Sequence, residues 1–166
     1  MAQRFVHRVL LVLVLLLLVG CDHASKGVAK AELESAGPRE LIHGVVSLRY
    51  VENTDVAFNL LRWIPESVRF PALLVTGALG VVLLGFLLLR SRMKAGLPLG
   101  ALLLLTAGAL GNYVDRLFRG YVVDFVHVNH WPVFNVADIY VTFGLGVLAW
   151  QALKRRSEPH APSSPP

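Results

Sequence analysis

Two aspartates stand where an apolar chain does not readily tolerate them. Asp124 sits in Gly120-Tyr-Val-Val-Asp-Phe125, and Asp138 sits in Phe134-Asn-Val-Ala-Asp-Ile139 at the mouth of a long apolar run. An ionisable group at the edge of a bilayer is costly unless it is paired or hydrated, so it marks a functional site by default. Two carboxylates brought together share one proton. The ionised member can then take a proton from water while the protonated one donates a hydrogen bond to a carbonyl oxygen. The chemistry indicated is hydrolysis by an aspartate pair at a membrane surface. Taken singly, each residue also has a plain reading: Asp138 as a helix N-cap and Asp124 as a solvated turn residue.

The chain around them must supply a scaffold in lipid. It has 166 residues, 55% of them hydrophobic, and a mean hydropathy of +0.58, far too apolar for a soluble domain of this size. The net charge of +5 is spread over short flanks between apolar runs. That suits topology and anionic lipid headgroups, and no nucleic-acid motif accompanies it. A single cysteine, Cys21, excludes an internal disulfide.

The expected fold is an all-α polytopic membrane protein with four transmembrane helices and a small extracytoplasmic β element. The spans are placed at about 9–29, 70–89, 97–113 and 136–153, within one membrane-embedded domain covering 1–156. Polar regions lie at about 30–69 and 114–135, and 157–166 is expected to be a disordered, Pro/Ser-rich cytoplasmic tail. Val46-Ser-Leu-Arg-Tyr-Val51 alternates with strand periodicity. Pro71 is assigned to a first helical turn, and Gly77, Gly80 and Gly85 to close helix contact. Gly108, Asn112 and Arg116 fall at i, i+4, i+8, one polar stripe that should face the protein interior. Asp22 and Lys26 are four apart and can pair on one helix face. Asn135 lies three before Asp138 and can orient it. The basic residues Arg4/Arg8, Arg90/Arg92/Lys94 and Lys154/Arg155/Arg156 are packed into short flanks. The positive-inside rule therefore makes both termini cytoplasmic and turns the strand region and both aspartates outward.

Five segments in order, Asp22-His-Ala-Ser-Lys26, Glu52-Asn-Thr-Asp-Val-Ala-Phe58, Gly108-Ala-Leu-Gly-Asn-Tyr-Val-Asp-Arg116, Gly120-Tyr-Val-Val-Asp-Phe125 and Phe134-Asn-Val-Ala-Asp138, resemble those of the lipoprotein signal peptidases (signal peptidase II). The resemblance covers about residues 5 to 153. It implies a membrane aspartyl endopeptidase of the bacterial inner membrane, with its active site near the outer face. Its substrates would be diacylglyceryl-modified prolipoproteins, cut just before the lipidated cysteine. Asp124 and Asp138 become the catalytic pair, and Asp22, Lys26, Asn53, Gly108, Asn112, Arg116 and Asn135 become pocket residues. No metal or cofactor is implied, membrane lipids are the only other partners, a monomer is expected, and sensitivity to globomycin follows from the same likeness. The family usually has Gly two residues after the Asn matching Asn53. Here Asp55 stands there and is expected to face water without taking part in the chemistry. The loop from Val45 to Trp63 is expected to close over the substrate.

Three other readings compete. Leu18-Val-Gly-Cys21 resembles a lipobox, which would make the chain itself a processed lipoprotein. Asp124, His127 and His130, three apart in succession, would gather a metal if that segment were helical. A small transport or scaffold protein would use the intramembrane charges for ion passage or helix assembly.

Overall fold

The computed structural model describes residues 2–54, 63–91 and 96–157. Residues 55–62, Asp55 among them, therefore lie outside the described residues, as do Arg92, Lys94 and the tail beyond Ser157. Four helices carry the fold: α1 Ala2–Leu33, α2 Glu66–Arg90, α3 Leu97–Arg119 and α4 Val136–Ser157. All four are long and apolar enough to cross a membrane. Each runs beyond the span placed on it from hydropathy, because helical hydrogen bonding continues past the apolar window into polar flanks. α1 alone, at 32 residues, is about 48 Å long.

α3 is the central helix and packs against α1, α2 and α4. Leu11, Leu88, Leu99 and Leu102 form a small core at one end. Elsewhere apolar side chains such as Leu17, Leu79, Val82, Leu83 and Phe143 are exposed. Such a surface is stable only in lipid, where helix contact must come from close packing rather than from hydrophobic burial.

Helix ends follow from local chemistry. α3 stops at Gly120, whose left-handed φ of 82° lets its N–H return to the Arg116 carbonyl. α2 starts at Glu66, five residues before Pro71, so Pro71 lies inside the helix and not in its first turn; Pro65 precedes the start instead. Of the three α2 glycines, only Gly77 meets a neighbour, with Tyr113 Cδ2 3.0 Å from where its Cβ would be. Gly80 and Gly85 face open space, so close contact does not explain them.

The polar segments build a three-stranded antiparallel sheet in the order β1-β2-β3, from Arg39–Ile42, Val46–Asn53 and Val122–Val128. The alternation at 46–51 is therefore the middle strand, with Val46–Leu48 paired to both neighbours and 51–53 to β3, while residues 55–62 of the loop expected to close over the substrate lie outside the described residues. β3 is not apparent in the sequence, because Val122-Val-Asp-Phe125 is buried without alternation. Phe125 and Val126 both donate their N–H groups to the Phe134 carbonyl, and Phe134 N–H returns to Val126. That tie bends the chain so that β3 lies beside the start of α4. Ala29, Leu33 and Phe125, with Leu48, Tyr50, Val126 and Val136 around them, seat the sheet on the end of α1.

Candidate active site

The two aspartates come together around one residue, Asn135. Asn135, fully buried, donates from Nδ2 to Asp124 Oδ1 at 2.7 Å. Its Oδ1 accepts the Asp138 N–H at 3.0 Å, while its own backbone N–H reaches Asp138 Oδ2 at 3.1 Å. This is a reciprocal cap at the N-terminus of α4. Asp138 thus serves as a cap partner through one oxygen and faces the site with the other. Its remaining oxygen, Oδ1, accepts from Asn112 Nδ2 at 2.8 Å. Asp124 Oδ2 accepts from Asn53 Nδ2 at 2.8 Å, across from β2. All four carboxylate oxygens therefore have a fixed donor, and the four donors come from β2, α3 and the start of α4.

Burial pushes the Asp124 carboxyl up to about 6. The hydrogen bond from Asn53 and, less strongly, that from Asn135 pull it down, while the Asp138 charge pushes it further up. The carboxyl at Asp124 is thus poised to hold a proton well above the usual carboxylate range.

Behind the pair lies a buried ionic cluster. Lys26 Nζ sits 2.7 Å from Asp22 Oδ2, 2.7 Å from Asp115 Oδ2 and 3.1 Å from Asn112 Oδ1. The side chains of Lys26, Asp22 and Asp115 are all fully buried. Asp22 Oδ1 accepts the Ala137 N–H at 2.9 Å, so a residue of α1 satisfies an orphan donor at the start of α4. Arg119 closes the cluster at 2.7 Å from Asp115 Oδ1. Arg116 donates to the Asn112 carbonyl at 3.3 Å. Gly108 lies against α4, where a Cβ would overlap the Ala137 carbonyl and sit 2.8 Å from Val141 Cγ2.

Of the residues marked in the sequence, Asp22, Lys26, Asn53, Asn112, Asp124, Asn135 and Asp138 form one connected hydrogen-bonded network. Gly108 and Arg116 border it. Sequence reasoning missed Gly111, the depth of Asp115, and Arg119. A lysine this deep needs more than one carboxylate, and Asp115, four before Arg119, was the available signal. The metal reading fails on geometry. β3 is extended, which sends Asp124 and His127 to opposite faces, and His127 Nδ1 lies 3.3 Å from Ser47 Oγ. No three His, Cys, Asp or Glu side chains gather into a metal site among the described residues. The lipobox reading would cut α1 immediately before Cys21 and sever the helix ahead of Asp22 and Lys26.

A family model described as signal peptidase (SPase) II matches residues 14–154. The lipoprotein signal peptidase of Moorella thermoacetica is 36% identical over 141 residues, 85% of this chain and 91% of that protein. That of Syntrophomonas wolfei is 40% identical over 135 residues, 80% of this chain and 85% of that protein. A solved bacterial membrane enzyme shares the fold with a TM-score of 0.79 at 24% identity, over 93% of this chain and 94% of that one. The matched residues run through all four apolar helices and the three strands, including both Asp124 and Asp138. The chain is a multi-pass membrane protein and belongs to the signal peptidase II family of aspartic peptidases.

Proposed function

We propose that Asp124 and Asp138 are the catalytic pair of a lipoprotein signal peptidase that cuts diacylglyceryl-modified prolipoproteins immediately before the lipidated cysteine. The observation that carries this reading is that Asn135 donates to both carboxylates, to Asp124 from its buried side-chain amide and to Asp138 from its backbone N–H. Such a bridge sets two carboxylates at a fixed separation with donors on every oxygen. One carboxylate takes a proton from water, and the oxygen of that water attacks the scissile carbonyl carbon. The protonated partner donates to the carbonyl oxygen. Collapse of the tetrahedral intermediate breaks the C–N bond, and the proton moves to the cysteine amine as it leaves. No covalent intermediate, metal or cofactor is required. Asn53, Asn112 and Asn135 hold the carboxylates, Asp22 and Lys26 support them, and Gly108 and Arg116 shape the approach. The protein acts as a monomer, and the substrate enters sideways with its acyl chains still in lipid. The exposed apolar faces of α1, α2 and α4 support that route.

The reading is tested by cleavage in detergent of a prolipoprotein with and without its diacylglyceryl group. The lipidated form is expected to be cut before its cysteine, equally with and without a strong chelator, and the unlipidated form left intact. Cleavage lost to the chelator, or equal cleavage of both forms, would overturn it.

In the bacterial inner membrane the termini face the cytoplasm and the pair lies near the outer face. The dense basic flanks at Arg90 and at Lys154 to Arg156 support this orientation. In a Cys21→Ser background, a membrane-impermeant maleimide should label Glu40→Cys on intact spheroplasts and Glu158→Cys only after lysis. The opposite pattern would invert the topology.

A further inference from the structure

We propose that Lys26, clamped by Asp115 and Arg119, is a positioning residue that dictates which end of the Asn112 side-chain amide faces Asp138. The proposal rests on the reading of Asp138 as one of the catalytic pair.

The argument begins with valence. An ammonium has three N–H donors and no acceptor. Lys26 Nζ donates to Asp22 Oδ2 and to the Asn112 oxygen, and is held against Asp115 Oδ2 as an ion pair at 2.7 Å. Asn112 Oδ1 also receives Asn135 Nδ2 at 3.1 Å. Two donors, one of them charged, converge on that oxygen. Turning the amide over would set its NH2 against an ammonium and a second NH2, and would turn its carbonyl oxygen onto the Asp138 carboxylate. Only one orientation satisfies the network, and it places Nδ2 2.8 Å from Asp138 Oδ1.

Charge balance brings in the other two residues. Lys26 alone is outnumbered by two fully buried carboxylates, Asp22 and Asp115. Arg119, one-third exposed at the edge of the cluster, supplies the second positive charge through Asp115 Oδ1. Each anion is then held from more than one side: Asp22 by Lys26 and the Ala137 N–H, Asp115 by Lys26 and Arg119, with His23 Nδ1 3.5 Å from its Oδ1. The ammonium cannot drift from Asn112 without breaking a buried ion pair. A chain of contacts thus runs from the partly exposed arginine through the fully buried Asp115 and Lys26 to Asn112 and Asp138.

The test removes the charge in a balanced way and asks whether its effect passes through Asn112. Lys26→Met with Asp115→Asn is made in the full-length protein, alone and together with Asn112→Ala. Turnover and KM are measured on diacylglyceryl-modified prolipoprotein under single-turnover and steady-state conditions, with detergent-phase thermal unfolding as the check on fold. The expected result is a fall in kcat of about tenfold to a hundredfold, with KM changed by less than about twofold, since one buried hydrogen bond to a carboxylate is disordered. In the Asn112→Ala background the same pair of changes should cost less than about twofold more, because the route is already cut. An equal loss in both backgrounds, or no loss in the first, would overturn the proposal.

Lys26→Gln with Asp115→Asn refills the same space with a neutral donor and carries the same comparison if the methionine version does not fold. It should lose about threefold in kcat and nothing further in the Asn112→Ala background. If both fail to fold while Asn112→Ala folds, Lys26 is a structural residue only and the proposal falls. Asp138→Asn serves as the separate control. Cleavage that survives it would remove the catalytic reading itself, whatever the Lys26 variants do.

Discussion

Asp124→Asn and Asp138→Asn each lower cleavage of a lipidated prolipoprotein by at least about a thousandfold, because neither variant can pass a proton between water and the scissile carbonyl. Binding of the substrate is unaffected to first order, so the loss falls in kcat. The two variants differ in stability. At Asp124 the new amide meets Asn53 Nδ2 and Asn135 Nδ2, and Asn53 lies at a strand end where its amide can turn over to offer oxygen. At Asp138 the donors are the Asn135 backbone N–H, which cannot turn, and Asn112, held by Lys26. One donor there is left unsatisfied, so Asp138→Asn costs about 1–3 kcal/mol more than Asp124→Asn. Paired cleavage assays and unfolding midpoints check both statements. Residual turnover near the wild-type rate in either variant would remove that residue from the chemistry.

The same site predicts the pH dependence. Burial holds the Asp124 carboxyl up at about 6, so the singly protonated pair persists to about that pH and is lost as pH rises through it. Turnover should therefore show a descending limb at or above about pH 6, belonging to the pair rather than to one residue. Asn53 donates to the ionised form of Asp124 and pulls its titration down. Asn53→Ala removes that donor, so the limb should move to higher pH even as the maximum rate falls. A limb that stays put or moves down would show that Asp124 is not the group that titrates. For stability the sign is the same: the contribution of protonated Asp124 is full below the ordinary carboxyl value of 3.8 and is lost as pH rises through about 6.

The second large effect comes from a glycine. A Cβ on Gly111 would stand 2.6 Å from Asp22 Oδ2, 3.4 Å from its Cγ and 3.5 Å from Ala137 Cβ. Asp22 cannot give way, because its two oxygens are held by Lys26 and by the Ala137 N–H. Gly111→Ala must therefore either part α1 from α3 or break a buried ion pair, and a loss of about 3–5 kcal/mol follows. Gly108→Ala is of the same kind, with the backbone carbonyl of Ala137 in the way. The controls are Gly85→Ala and Gly100→Ala, which meet nothing within 4 Å. Those two should gain about 0.5–1 kcal/mol from the lower entropy of the unfolded chain. Thermal unfolding in detergent orders the four variants. If Gly111→Ala behaves like Gly85→Ala, α1 and α3 do not approach as closely as described.

Much of this was legible in the residues themselves. Apolar runs near the thickness of a bilayer and their basic flanks specify four helices, because lipid leaves an extended backbone no way to satisfy its polar groups except in helices or closed barrels. The alternation at Val46 to Val51 marks a strand, because a half-buried strand shows one face to water. The motif segments carried the aspartates, Lys26 and three asparagines. β3 escaped, because a strand buried on both faces loses its period, and Pro71 was misplaced, because hydropathy locates the lipid-facing part of a helix and not its first turn.

The class of the fold and the residue types of the site are written in local pattern: hydropathy, spacing and charge at helix ends. Only the tertiary structure decided that Asn135 bridges both carboxylates, that Gly111 exists to admit Asp22, and that Asp115 and Arg119 complete the charge on Lys26. These are contacts between residues as far as 115 positions apart, as in the bond from the Ala137 N–H to Asp22. They depend on how α1, α3 and α4 approach one another, and no local pattern encodes that approach. It is set by close packing at small residues and by the need of buried charges and amides to find every partner at once.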